Sequence, residues 1–530
     1  ACLVGSEMCI RDRLCVIATS FTGCFGRKKS GEAFSMPIMD EPTSLDPQIA
    51  DSNSEKLVAA NCYEGLVRIM ADGTIGKGVA TDWNISDDGL TYTFKLRNNS
   101  HWAMFSGHKA VLGENYEDTF DITVKAEDFK FGIERTLSEQ TGSADAPLFS
   151  AVKSISTPDD FTIVFNLSYA DDNFLYALTN PGAMPCDEEF FNLTNGKYGL
   201  DAKYLLCNGP FHVSKWTEKT SVKLAKNNEY NGESSVSPSS VTFYINNDDS
   251  EVADKMNSVT YDVAFLSSSQ FSSIENKKDL NSVAVQNVTY SFIFNQNDNN
   301  YRNKNMRLAF CRSCDTSSLF DSQSDISKAD GIVPPSCKIG GEDYRNGNAA
   351  ELLSYDETLA KKNFNDALLD LGSSSVETTI LCTEQYEPFV KQMVQKLQKT
   401  LGVKFVSTVK VVSESDLEAA VNDGNYSVAF YPFKAKSSFA GEIIEGFDQN
   451  NIFGYESDVL SQKIRNIKNN SGSLEGERSA VADAENYLVS EAVIMPVFYE
   501  NSYFVTSKKT SGIYFYSSAD NVCFINAKKS

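Results

Sequence analysis

The sequence predicts a mixed α/β or α+β chain built as more than one lobe, and three observations carry that expectation. Its 530 residues exceed one compact unit, since domains hold roughly 100–200 residues. Segments of two-residue apolar alternation recur between segments of helical spacing, with no repeat period. Two polar breaks, Asn246–Ser250 (NNDDS) and Asn469–Glu477 (NNSGSLEGE), interrupt this pattern, so a middle segment leaves one unit and the chain later returns to it.

The elements follow in order. Asp88–Arg97 (DGLTYTFKLR) puts Leu90, Tyr92, Phe94 and Leu96 on one face and Thr91, Thr93, Lys95 and Arg97 on the other, the period of a half-buried strand. Phe161–Leu167 repeats it. Further strands are expected at Val241–Ile245, Val263–Leu266, Tyr290–Phe294, Val403–Val406, Val428–Tyr431 and Ala492–Tyr499. Helical spacing marks Ser54–Leu66, Ala126–Leu137, Tyr355–Leu371, Glu387–Leu401 and Gly476–Glu491.

Composition narrows the function. Hydrophobic residues at 41% with 34 Phe and 23 Tyr supply large cores, which excludes a disordered or collagen-like chain. A net charge of -23 repels phosphate backbones and argues against nucleic-acid binding. The three histidines, His101, His108 and His212, are too few for a multi-histidine metal centre, and no metal or other cofactor is expected. Beyond the first thirty residues no apolar run approaches the ~18 residues of a membrane span.

The amino terminus reads as an export signal. Leu14–Gly23 (LCVIATSFTG) is a short apolar run behind Arg11 and Arg13, with small residues before Cys24. Phe21-Thr22-Gly23-Cys24 resembles a bacterial lipobox, with Phe21 in place of the usual Leu; that resemblance implies cleavage after residue 23 and a lipid on Cys24. Residues 24–35 then read as a polar tether. Residues 1–13, with Glu7 and Asp12 in the basic flank, look like a non-native graft onto a truncated signal. Beyond Cys24 eight cysteines remain, which allow 105 disulfide pairings or a set of small buried thiols.

Several motifs, in order, resemble the solute-binding proteins of ABC importers, specifically the oligopeptide- and dipeptide-binding family 5. They begin with Glu41-Pro42-Thr43-Ser44-Leu45-Asp46-Pro47, Tyr63-Glu64-Gly65-Leu66, Asp72-Gly73, Ala80-Thr81-Asp82-Trp83 and the strand at Asp88–Arg97. Trp102, Ala126-Glu127-Asp128-Phe129, Asn208-Gly209-Pro210-Phe211, Trp216 and Asn227-Asn228-Glu229-Tyr230 follow. Phe294-Asn295, Met306-Arg307-Leu308-Ala309, Gly331-Ile332-Val333-Pro334-Pro335 and Ile494-Met495-Pro496-Val497-Phe498-Tyr499 complete the series. The resemblance implies a two-lobed, periplasmic-binding-protein-like (Venus flytrap) α/β fold with mixed sheets. Lobe one would hold residues 36–246 plus 488–530, with an inserted subdomain at 80–155, and lobe two residues 247–487.

It also implies the function: capture of an oligopeptide between lobes that close about a hinge, and delivery to the transmembrane subunits of an ABC permease. The carrier would be a monomer, lipid-anchored on the outer face of the bacterial cytoplasmic membrane, periplasmic where an outer membrane exists. Ligand residues carried over are Glu41, Thr43, Asn208, Asn295, Tyr431, Phe433 and Lys434, each of which also reads as a turn, cap or packing residue. Ala429–Ser437 (AFYPFKAKS) departs from the family pattern, with Tyr431 in the Trp place and Phe433-Lys434 where an Ala-Asp pair receives the peptide's α-ammonium. A lysine there repels an ammonium by about 4 kcal/mol at 4 Å and effective ε near 20. Either another acid, such as Glu442 or Asp448, replaces the aspartate, or the ligand is not held by its amino terminus and Lys434 meets a carboxylate or phosphate or points at solvent; a non-peptide solute such as a metal chelate or oligosaccharide is the alternative cargo.

Rival chemistry is thin. Ala103–Ile122, longer than the family's turn, reads as a solvated acidic loop without calcium-loop spacing. Cys311-Arg312-Ser313-Cys314 is a lone C-x-x-C, read as a core helix rather than zinc or redox chemistry. Ser407-Thr408-Val409-Lys410 matches the S-x-x-K of serine enzymes, but a β-branched run puts the two side chains on opposite faces of a strand. An enzyme, serine-peptidase-like, is therefore the remote alternative, with no catalytic residues expected.

Overall fold

A computed structural model describes residues 31–530, apart from 71–73, 172, 233–234, 317–318, 321–324, 435–438, 449–450, 471–472 and 516–521. The expectations for the signal, the non-native start and the lipid on Cys24 lie outside the described residues, as does Asp72-Gly73.

The first lobe is built on two four-stranded sheets. The elements that carry it are β1 (Ala33–Ile38), α1 (Asn53–Cys62), β2 (Ala80–Ile85), β3 (Thr91–Leu96), α2 (Ala126–Leu137), β4 (Val152–Asp159), β5 (Thr162–Leu167), β6 (Phe211–Thr217), β7 (Ser221–Lys226) and β8 (Ser240–Ile245). One sheet runs β1-β8-β7-β6, with β1 parallel to β8. The other runs β2-β3-β5-β4, all antiparallel. The alternation read at Asp88–Arg97 is observed, with Tyr92, Phe94 and Leu96 buried. The inserted sheet closes only with β5, past the expected 155, because β3 needs β5 as its inner neighbour. The tether expected through residue 35 ends earlier, since Ala33–Ser35 already pair in β1.

The second lobe is organised by one seven-stranded sheet. Its elements are α3 (Asp249–Asn257), β9 (Val263–Ser267), β10 (Leu280–Phe294), α4 (Lys304–Ser313), β11 (Ile326–Lys328), α5 (Glu357–Leu371), β12 (Val376–Cys382), α6 (Glu387–Leu401), β13 (Phe405–Val411), β14 (Val428–Lys434), α7 (Ala440–Glu445), α8 (Asp458–Asn469), α9 (Leu474–Ser490) and β15 (Ile494–Ser507). Strand order is β9-β15-β10-β14-β12-β13, with β11 on β15; β12 is parallel to β13 and β14 and the remaining pairs are antiparallel. Alternation separates two cores. Phe292, Phe294 and Phe430 pack under α4 to α6 on one face, and Ile293, Ala429 and Ile494 pack under α7 to α9 on the other.

Near the expected return to lobe one at 488, the chain runs between the two cores, with Val497 and Phe498 in the second and Phe504 in the first. Ile494–Ser507 is taken up as a strand beside β10, and Phe524, Ile525 and Ala527 then enter the first core. At this junction Asp262 accepts from the Ser35 N–H at 2.8 Å and its hydroxyl at 3.0 Å, and pairs with Lys529 at 2.9 Å. The Ser507 N–H donates to the Asp262 carbonyl at 2.9 Å. One residue therefore ties both crossings to β1.

Ala103–Ile122 is largely exposed, as expected, but aromatic side chains anchor it. Phe105 lies 4.3 Å from the His108 ring and stacks on His212 at 5.6 Å, and His108 and Tyr116 are buried. Its acids Glu114, Asp118 and Asp121 do face solvent. The spacing hid the packing because aromatic anchors alternate irregularly with acids.

Candidate functional site

The signature residues of lobe one converge on a single polar network. Glu64 accepts from the Tyr230 hydroxyl at 2.9 Å and pairs with Arg97, whose guanidinium also donates to the Gly78 carbonyl. Asn208 grips the Glu64 backbone, accepting from its N–H at 3.0 Å and donating to its carbonyl at 2.8 Å. Asn227 donates to the Gly209 carbonyl at 2.9 Å. Burial, then the Glu64 charge, pushes the Tyr230 hydroxyl well up, so it stays a neutral donor. Glu64, Arg68, Thr179, Met184, Tyr230 and Cys523 line a cavity of about 100 Å³ beside this network.

The opening motif is anchored likewise. Asp46 accepts from the Gln48 N–H at 3.1 Å and pairs with Arg135 at 2.6 Å; Arg135 lies 4.1 Å over the Phe191 ring. In lobe two Glu485 accepts from the N–H groups of Ile332 and Val333 at 2.7 and 3.0 Å and from Tyr344 at 3.0 Å, and makes a two-pronged pair with Arg345. The Gly331–Pro335 motif is thus a loop held by a buried carboxylate.

The expected ligand residues fall in three places. Glu41 is half-buried and accepts from the Lys219 N–H at 2.8 Å, while exposed Thr43 donates from its hydroxyl and N–H to Glu55, each at 2.8 Å. Glu55 is also the reciprocal cap of α1. Asn208 and Asn295 are buried; Asn295 donates to the carbonyls of Gly424 and Tyr426, both at 2.8 Å, and accepts from the Asn297 N–H. Tyr431 and Phe433 share one face of β14, half-buried, with Phe433 stacked on Phe447 and Phe453. Lys434 ends that strand, exposed. Of the two substitute acids, Asp448 accepts from Ser461 at 2.7 Å.

Glu442, on α7, sits opposite lobe one. Asp145 of lobe one is buried, accepts from the Gly182 N–H at 2.9 Å, and feels the Glu442 charge. Burial raises the Asp145 carboxyl above its ordinary range, with Asp51 and then Glu442 as smaller contributions. Glu445, raised chiefly by burial, feels Asp171 across the same line. Among the described residues, a direct contact joins the faces: the Asn173 side-chain N–H donates to Glu477 on α9 at 2.7 Å. Sequence reasoning missed Asp145, Asp171, Asn173, Glu445 and Glu477, which carry no motif.

The rival sites are structural in placement. Cys311 and Cys314 are buried in the second core and burial pushes both thiols up to about 12. Among the described residues no group of three His, Cys, Asp or Glu side chains is placed to hold a metal ion. Ser407 and Lys410 lie on β13, and the Ser407 hydroxyl accepts from Gln398 at 3.0 Å.

Two lobes joined at Asp262 and meeting at Asn173–Glu477 define the class, a two-lobed binding protein of the periplasmic type. The chain matches the bacterial extracellular solute-binding proteins, family 5 Middle, over residues 74–453, and it belongs to that family. The dipeptide-binding protein DppE of Bacillus subtilis is 24% identical over 497 residues, covering 89% of this chain and 88% of that protein. Listeria monocytogenes OppA bound to peptide superposes with a TM-score of 0.73 at 21% identity, over 94% of this chain and 100% of that one. AgaA of A. tumefaciens R10, in complex with agropinic acid, does so at 0.71 and 17%, over 94% and 99%. Among the described residues no helix is long and apolar enough to cross a membrane.

Proposed function

We propose that this chain is the substrate-binding component of an ABC importer, capturing oligopeptides between its lobes and delivering them to the permease. The observation that carries this reading is the family match, which runs through most of both lobes; relatives named as dipeptide- and oligopeptide-binding proteins support the cargo. A lipid on Cys24 would hold the carrier, as a monomer, at the outer face of the cytoplasmic membrane. Glu442 is the substitute for the missing aspartate: a peptide ammonium placed beside it and Asp145 cancels the like-charge repulsion that otherwise opposes closure. Glu41, Thr43, Tyr431, Phe433 and Lys434 line the cleft, while Asn208 and Asn295 position the backbone behind it.

A second reading keeps the same clamp with a non-peptide solute. Lys434 in the aspartate's place and the agropinic acid complex of a fold relative favour it. Native mass spectrometry of protein purified without refolding separates the two. A heterogeneous peptide-sized excess, lost on denaturation, is the result expected; a single discrete non-peptide adduct would transfer the cargo to the second reading.

A further inference from the structure

Cys62 closes α1 and Cys207 immediately precedes Asn208, and the fold lays these two segments side by side. The Gly209 N–H donates to the Cys62 carbonyl at 2.9 Å, while Asn208 holds the Glu64 backbone. The approach is so close that a β-carbon on Gly209 would sit 2.6 Å from the Cys62 carbonyl carbon and the Tyr63 nitrogen, which only a glycine avoids. Cys62 and Cys207 are 0% and 1% exposed; both are free thiols in the structure, and Cys207 is among the groups that raise the Cys62 thiol. The hydrogen bond two residues past Cys207 holds the two cysteine backbones side by side, the arrangement from which a disulfide can form.

We propose that Cys62 and Cys207 form a disulfide as the chain folds outside the reducing cytoplasm, tying the end of α1 to the Asn208 turn behind the signature network. Burial, followed by the Cys207 neighbour, pushes the Cys62 thiol well above its ordinary range, so exchange belongs to the folding chain, where a thiolate is accessible. A small-molecule disulfide is the oxidant. One cysteine thiolate attacks it and releases one small thiol; the second cysteine attacks the mixed disulfide and releases the other. One small-molecule S–S bond and two protein S–H bonds become one protein S–S bond and two small-molecule thiols. The loop so closed contains the whole β2-β3-β5-β4 sheet and α2, and cross-linking it narrows the unfolded ensemble.

The test is refolding of the full chain from urea in oxidised and reduced glutathione, followed by alkylation and peptide mapping. Expected is one intramolecular cross-link joining the Cys62 and Cys207 peptides, a mass about 2 Da below the reduced chain, and a melting midpoint about 5 °C higher that reverts with dithiothreitol. Cys207→Ser, near-isosteric, should fold, lose the cross-link and lose the dithiothreitol-sensitive shift. Folded protein in which both thiols remain alkylatable or carry glutathione, or in which either pairs with another cysteine, overturns the proposal. A cross-link that Cys207→Ser leaves in place overturns it equally.

Discussion

The Asn173 carboxamide donates to the Glu477 carboxylate at 2.7 Å, and the bond runs from lobe one to lobe two. Asn173 precedes a short helix at Phe174–Ala177, and Glu477 lies in the first turn of α9 with 1% exposure. Because its two ends stand on different lobes, away from the Asp262 junction, parting the lobes would break this bond.

Replacing Asn173 therefore acts on closure. Asn173→Ala removes a charge-assisted hydrogen bond from the closed form alone, and peptide affinity should fall about tenfold, about 1.4 kcal/mol. Titration calorimetry against a peptide released from the purified protein reads it. Unchanged affinity would place the contact outside the closing surface.

Glu442→Gln addresses the substitute acid. Peptides with a free amino terminus should bind about tenfold more weakly to the variant, since a charged hydrogen bond contributes about 1.5–3 kcal/mol. Amino-acetylated peptides should bind the parent and the variant alike. Equal losses for both peptide forms would remove Glu442 from ammonium recognition.

Glu485 holds the Gly331–Pro335 loop and a buried guanidinium at once. Glu485→Ala leaves Arg345 buried and unpaired, and should destabilise lobe two by about 3–5 kcal/mol. Urea unfolding followed by far-ultraviolet circular dichroism reports it; a loss under about 1 kcal/mol contradicts the assigned role.

Acid should loosen the anchored segment of lobe one. Burial, partly offset by the Leu205 carbonyl and reinforced by His212, holds His108 down to about 4 from its ordinary 6.5. Between those values the unfolded chain binds the extra proton. Stability is then complete above about pH 7, falls as pH drops toward 4, and levels off below, by up to about 3 kcal/mol. His212, also lowered by burial, adds the same sign. His108→Gln, which keeps a donor for the Leu205 carbonyl at that position, should flatten part of this slope relative to the parent; identical slopes would exclude His108 as its source.

Cys24→Ala tests the anchor. Mature protein should pass into the medium or periplasm, whereas unchanged membrane retention in a fractionation experiment contradicts lipidation.

Much of this architecture is legible in the residues. Ala126–Leu137 and Glu387–Leu401 form helices over the expected spans, because strong amphipathic spacing runs between clear stops, Gly402 among them. The helix read to Leu66 ends at Cys62; its last apolar residues are instead used against the Asn208 turn, a tertiary demand that local spacing does not contain. The strand expected at Val403–Val406 lies at Phe405–Val411, an edge strand whose exposed Val406 blurs the alternation. The family motifs were legible but serve chiefly as scaffold: Asp46, Glu64, Asn208 and Asn295 bind backbone or buried arginine. Asn173, which meets Glu477 across the lobes, and Asp145, which feels the Glu442 charge, have no local signature, since their counterparts come from the other lobe.

Small-angle X-ray scattering on the ligand-stripped chain, before and after saturation with a peptide recovered from it, tests capture by closure most directly. The account predicts a smaller radius of gyration on peptide addition, and a weaker contraction in Asn173→Ala at the same peptide concentration. A scattering profile unchanged while calorimetry shows the peptide bound would contradict it.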